Sequence, residues 1–70
     1  MQRKHVTARM IKSIGWENNV LEVEYHSGLI HQYHDVSEEE YIRATTGSID
    51  KKIRLIGKSH QFTKVKDHNL

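Results

Sequence analysis

The chain contains no cysteine and no proline, only one tryptophan and one phenylalanine, and no apolar run longer than two or three residues. Without cysteine there are no disulfides, no thiolate metal sites and no cysteine nucleophile. Runs this short cannot cross a membrane or form a signal-peptide core. The N-terminal MQRKH is basic but leads into no apolar stretch, so cytoplasmic residence is the expectation and a membrane is not an expected partner. Proline-rich linkers, repeats and low-complexity segments are also missing, which leaves no internal boundary. Residues 1–70 read as one domain with a core over about 10–62, a basic N-terminal arm at 1–9 and a C-terminal tail at 63–70. Hydrophobic residues make up 36% of the chain and the mean hydropathy is −0.75, so the core is lean. A chain this small buries only about 60% of the surface it exposes when unfolded. A protein partner or a homodimer interface would supply the missing burial.

The net charge of +2 conceals a segregation. Residues 1–14 carry Arg3, Lys4, Arg9 and Lys12 and no acid, whereas residues 15–42 carry seven acids and no lysine or arginine. Residues 43–70 return to seven bases against Asp50 and Asp67. If the two basic ends fold onto one side, they form a face that attracts phosphates or an acidic protein. If they do not, they are solvated tails.

Periodicity gives a coarse order of elements. Met10–Trp16 carries the β-formers Ile11, Ile14 and Trp16 and reads as a first strand, followed by a turn at Glu17-Asn18-Asn19. Val20–Tyr25 alternates, with Leu21, Val23 and Tyr25 on a core face and Glu22 and Glu24 on a wet face. His26-Ser27-Gly28 closes a hairpin. A two-residue turn would send Ile30, Gln32 and His34 inward. A three-residue loop with a glycine bulge pairs Tyr25 with Leu29, sends Leu29, His31 and Tyr33 inward, and leaves Gln32 and His34 wet. The bulged form is favoured because it buries Leu and Tyr. Ser37 and Glu40 form a capping box, Val36 can staple to Tyr41, and three glutamates sit at the positive end of the helix dipole. That helix runs to about Thr46, with Gly47 as its stop. Ser48 can cap a second helix in which Ile49, Ile53 and Ile56 share a face and which Gly57 ends. HQFTKV then reads either as a last short strand or as an extended tail. The fold class is α+β: a three-stranded antiparallel meander packed by one helix, with a short second helix near the C-terminus.

Few side-chain groupings suggest chemistry. His26, His31 and His34 fall close together, but His31 and His34 have opposite parity on a strand and His26 lies in a turn, so a metal site is not expected. His31 reads instead as a core histidine donating to a backbone carbonyl. Glu22 and Glu24, like Glu38, Glu39 and Glu40, sit where acids serve solubility and capping rather than acid–base catalysis. No serine lies in a nucleophile elbow and no glycine-rich phosphate loop is present, so neither catalytic residues nor a cofactor is expected. Lys51, Arg54 and Lys58 recur at i, i+3, i+7 and share a helix face, with Lys52 beside them. Such a face can track phosphates, with Arg3, Lys4 and Arg9 as an auxiliary arm. Phe62, Trp16 and Tyr33 are the candidates for stacking on unpaired bases. The same strip can equally be the solvated side of an amphipathic helix, and Trp16, Leu21, Val23, Tyr25 and Tyr41 read best as core.

Ser13-Ile14-Gly15-Trp16, the hairpin residues Leu21, Val23, Tyr25, Ser27 and Gly28, the pair Val36 and Tyr41, and the basic Lys51-Lys52-Ile53-Arg54 together resemble the pattern of the KTSC domain. This short domain also occurs at the C-terminus of some lysyl-tRNA synthetases and as small bacterial and phage proteins. The likeness spans roughly residues 11–62. His31-Gln32-Tyr33 stands where the family has Y-x-Y, Ser37 where it usually has proline, and the region after Ala44 aligns only with a gap. The resemblance implies a fold and RNA binding, not a reaction. The combined expectation is a small non-catalytic module that binds RNA or single-stranded nucleic acid through its basic C-terminal segment. The alternative is a protein-interaction module, of phage or mobile-element origin.

Overall fold

Two turns set the register of the central strands. The computed structural model describes residues 1–65, and its elements are β1 (Lys4–His5), β2 (Ile11–Glu17), β3 (Val20–Tyr25), β4 (Ile30–Tyr33), α1 (Glu38–Ala44), α2 (Ile49–Ser59) and β5 (Phe62–Val65). Asn18 and Asn19 both adopt left-handed conformations (φ 51° and 65°) and join Glu17 to its partner Val20 by a two-residue turn of the primed kind. Gly28 (φ 100°) closes the next hairpin, in which the Tyr25 amide donates to the Leu29 carbonyl at 2.8 Å. The bulged register is therefore the observed one, pairing Leu21 with Tyr33 and Val23 with His31.

The sheet has five antiparallel strands in the order β1-β2-β3-β4-β5, not three. Both additional strands are edges. β1 is two residues long, too short to show a period, and its pairing of Lys4 with Ile14 depends on a partner ten residues away. β5 pairs Phe62 with Tyr33 and Val65 with Ile30, so part of the expected C-terminal tail is strand. Its side chains are mostly exposed, which is why alternation there is weak. The expected tail residues beyond Val65 lie outside the described residues. Among the described residues no helix is long and apolar enough to cross a membrane.

Both helices cover one face of the sheet. Ile11, Ile14, Leu21 and Val23 from the strands meet Val36, Ala44, Ile53 and Ile56 from the helical side, all buried. The Trp16 indole donates to the Val36 carbonyl at 2.8 Å and its ring stacks on Tyr41. Ser37 and Glu40 form the capping box, but α1 closes at Ala44, two residues earlier than expected, where the Thr45 and Thr46 hydroxyls both bond the Ile42 carbonyl. Ser48 makes no side-chain cap, and α2 runs through Gly57 to Ser59. Gly57 does not end the helix; it lies against the Tyr33 ring, where an added Cβ would be 3.4 Å from Cε1. Leu29 has the inward parity of the register but is 44% exposed.

The opposite face is not simply wet. Glu22 is only 7% exposed and Ser13 3%, since the N-terminal arm folds over them. A Cβ on Gly15 would collide with the carbonyl oxygen of Gln2, so glycine is what lets the arm lie flat. The Arg3 guanidinium then bonds Glu22 and the Ser13 hydroxyl and lies 3.7 Å from Glu24. Gln32 is half-buried rather than wet, donating to Glu22 at 2.7 Å, and half-buried His34 meets the Thr63 hydroxyl at 2.7 Å. The hydrogen bond from Ser13, then the nearby Lys12 and Arg3, hold Glu24 below the usual carboxylate range despite some burial. Arg3→Ala would leave the Glu22 carboxylate under-satisfied. The expected cost is about 1–3 kcal/mol in chemical denaturation, and a loss within ~0.5 kcal/mol would place Arg3 among ordinary surface residues.

A second polar contact ties the helical layer to the sheet. His60 uses Nδ1 toward the His34 carbonyl (2.8 Å) and Nε2 toward Glu40 (3.0 Å). Burial alone would depress its pKa, but these hydrogen bonds, with the charges of Glu40 and Asp35, raise it above 6.5. Glu40 is lowered below 4.5, chiefly by the Ser37 amide and then by His60. His60 thus contributes stability that is fully present below pH 6.5 and fades as pH rises through its folded pKa, while the part from Glu40 fades as pH falls below 4.5. The Tm gap between the wild type and His60→Gln should be wider near pH 6 than near pH 8. An unchanged gap would exclude the ionised pair.

Candidate functional site

A cleft of about 940 Å³ lies between α2 and the chain that links β1 to β2. Its polar and aromatic lining comes from Arg9, Tyr25, Tyr33, Asp50, Lys51 and Arg54. The two walls are pinned together by Asp50, whose carboxylate accepts the backbone amides of Arg9 (2.9 Å) and Met10 (3.1 Å). The same link is held from the hairpin side, where the His26 amide donates to the Met10 carbonyl at 2.9 Å and the His26 ring reaches the Ala8 carbonyl at 3.3 Å. Three cations and one carboxylate therefore line a single cavity, and the carboxylate already has two donors.

The two tyrosines extend the cleft into an aromatic group on the helix-side face of the sheet. The Tyr25 and Tyr33 hydroxyls bond each other at 2.7 Å, and His31 Nδ1 approaches the Tyr33 hydroxyl at 3.2 Å. Burial, then the hydrogen bond to Tyr33, pushes the Tyr25 phenol well above its ordinary value, so it stays protonated. Burial, aided by Lys64, lowers His31 and favours the neutral ring. His31 does not bond a backbone carbonyl, and its Nε2 is buried with no hydrogen-bond partner among the described residues. Phe62 stacks on His31 with ring centroids 4.6 Å apart and remains 50% exposed, presenting one ring face to solvent next to Tyr33 (5.8 Å).

The cations named from the sequence separate into groups. Arg9, Lys51 and Arg54 meet at the cleft. Lys58 is exposed one turn further along the same side of α2. Lys52 turns the other way and donates to the Arg43 and Thr46 carbonyls (3.1 and 2.8 Å), capping the end of α1. Arg3 is engaged with Glu22 and Glu24 on the other face, and Lys4 is exposed on β1. Of the stacking candidates only Phe62 offers an open ring; Trp16 is committed to Val36 and Tyr41, and Tyr33 is 5% exposed. Sequence reasoning missed Asp50 as the residue that brings Arg9 to α2, because that bond spans 41 positions. It missed the Tyr25–Tyr33–His31 chain because it took Tyr25 as plain core; the shared parity of His31 and Tyr33 was the available signal.

A family model described as the KTSC domain matches residues 7–44, which is β2 through α1 together with the arm from Thr7. The match stops short of α2, so the basic segment there lies outside it. The crystal structure of a KTSC domain protein from Yersinia pestis superimposes with a TM-score of 0.84 at 26% identity, covering 93% of this chain and 97% of that one. No curated protein matches the chain. The family model accounts for more than half of the sequence and the structural likeness for nearly all of it, so the chain belongs to the KTSC domain family.

Proposed function

We propose that this protein is a small non-catalytic module that binds RNA or single-stranded nucleic acid in the cleft beside α2. The observation that carries the reading is the convergence of Arg9, Lys51 and Arg54 on one cavity whose aromatic side runs out to an open Phe62 ring. Guanidinium and ammonium groups bind phosphate oxygens, and an exposed aromatic face accepts a base of any sequence. The protonated Tyr25 phenol suits hydrogen bonding rather than nucleophilic attack. Compared with the sequence expectation, the proposed surface keeps Lys51, Arg54 and Arg9 and gives up Arg3 and Lys52, which have partners elsewhere.

A second reading, a protein-interaction module, has one observation of its own. Leu55 is 54% exposed in a shallow groove that also takes in Ala44 and Ile56, and Ile42 is 55% exposed elsewhere on α1. Apolar surface of this kind suits a protein partner.

The two readings separate in fluorescence anisotropy with labelled single-stranded RNA and DNA at two salt concentrations. Lys51→Ala combined with Arg54→Ala should weaken binding and flatten the slope of log K against log salt by about 1.4, from about 0.7 per phosphate contact. Lys4→Ala should leave both unchanged. Equal losses in the two variants would point to diffuse attraction and remove the cleft from the account.

A further inference from the structure

The cations singled out in the sequence do not act as one group. Arg3 is neutralised on the far face, Lys52 is turned into the end of α1, and Lys4 sits on the opposite edge strand from β5. Arg9, Lys51 and Arg54 line one cavity of about 940 Å³, within the roughly 300–1,000 Å³ typical of small-molecule sites, and the exposed Lys58 lies one turn further along α2, outside that lining. A protein that follows a strand uses a long basic groove instead, with sites of about 4–16 nucleotides on folds of comparable use. The cavity also contains what a single nucleotide needs. Arg54, Lys51 and Arg9 supply charge for one phosphate, and the paired Tyr25 and Tyr33 hydroxyls lie at the cavity for a sugar or base edge. The half-exposed Phe62 ring, next to Tyr33 but outside the cavity lining, is the aromatic surface offered to one neighbouring base. The Asp50 carboxylate lines the same cavity and offsets one of its three positive charges, leaving about the charge that balances one phosphate dianion.

From this arrangement we infer that the cleft seats one nucleoside monophosphate unit, with its immediate neighbour stacked on Phe62, and that the recognised ligand is an unpaired nucleotide pair rather than a continuous strand. The inference rests on reading the cleft as a nucleic-acid site, but it fixes the ligand's size and charge, which that reading leaves open.

The test uses the full chain and anisotropy of a labelled single-stranded RNA, with unlabelled competitors. Adenosine monophosphate should displace the probe, and a dinucleotide should do so about as well as a long oligonucleotide once affinity is counted per binding position. The salt slope should be shallow, about −0.7 to −1.4 for the one or two phosphates of a nucleotide pair at roughly 0.7 each, and the same for short and long probes. Arg54→Gln should weaken adenosine monophosphate and the oligonucleotide by the same factor. A slope that steepens with probe length, or competition that requires long oligonucleotides, would overturn the inference while leaving nucleic-acid binding intact. Displacement by inorganic phosphate as effective as by the nucleotide would also overturn it, because the aromatic side would then contribute nothing. If no oligonucleotide binds, nitrogen–proton correlation spectra decide. Shifts at Gly57 and Arg54 on adding adenosine monophosphate would support the nucleotide site and discard the nucleic-acid reading, and their absence would overturn both.

Discussion

The burial of Tyr33 is the constraint on which the rest of the structure depends. Its ring lies at 5% exposure where β4, β5 and α2 meet, and a phenol buried that far requires a hydrogen-bond partner for its hydroxyl. Tyr25 supplies that partner from the neighbouring strand, and the diagonal reach between them is possible only in the bulged hairpin register. Above the ring the helix comes close at Gly57, where an added Cβ would sit 3.4 Å from Cε1, at the edge of ordinary contact. The opposite end of α2 is tied to the arm by Asp50. A helix fixed at both ends, with side chains on one side and a loop on the other, leaves a gap between them, and that gap is the cleft.

The segregated charges of the sequence resolve into distinct physical jobs. The acidic middle of the chain does not face the basic ends as one patch against another. Glu22 and Glu24 take Arg3 across the sheet, Glu40 takes His60 between the helical layer and β4, and Asp50 spends its charge on backbone amides. A lean core is thereby supplemented on both sheet faces. The buried apolar layer under the helices does most of the holding, and the Arg3 network closes the other face with charge-assisted hydrogen bonds, which are stronger than neutral ones. Arg9, Lys51 and Arg54 have no ion-pair partner among the described residues and line the cleft together.

Local signals were read well from the sequence and long-range ones poorly. The capping box at Ser37, the bulge at Gly28 and the inward set Leu21, Val23 and Tyr33 follow from spacing over a few residues, and spacing is what a sequence displays. β1 was not legible because it is two residues long, and β5 was legible only as one of two alternatives, strand or tail, because it is largely exposed and its hydrophobic period is weak. Glu22 looked wet because its strand alternates; it is buried by an arm whose approach depends on Gly15 and Gln2. Gly57 looked like a stop because glycine often ends helices, whereas here its role is set by the ring beneath it. The candidate site was legible in its parts, Lys51, Arg54 and Arg9, but not in its membership. Only the fold shows that Arg9 joins the α2 cations while Arg3 and Lys52 do not. The family model, ending at Ala44, covers the meander and α1 but not the wall that supplies two of the three cations.

The most direct measurement is amide chemical-shift mapping of the uniformly labelled protein on titration with a short single-stranded RNA at low salt. The account predicts shifts confined to the arm at Thr7–Met10, to α2 from Lys51 to Gly57, and to Phe62. Shifts centred on Ile42 and Leu55, or on Arg3 and the outer sheet face, would contradict it.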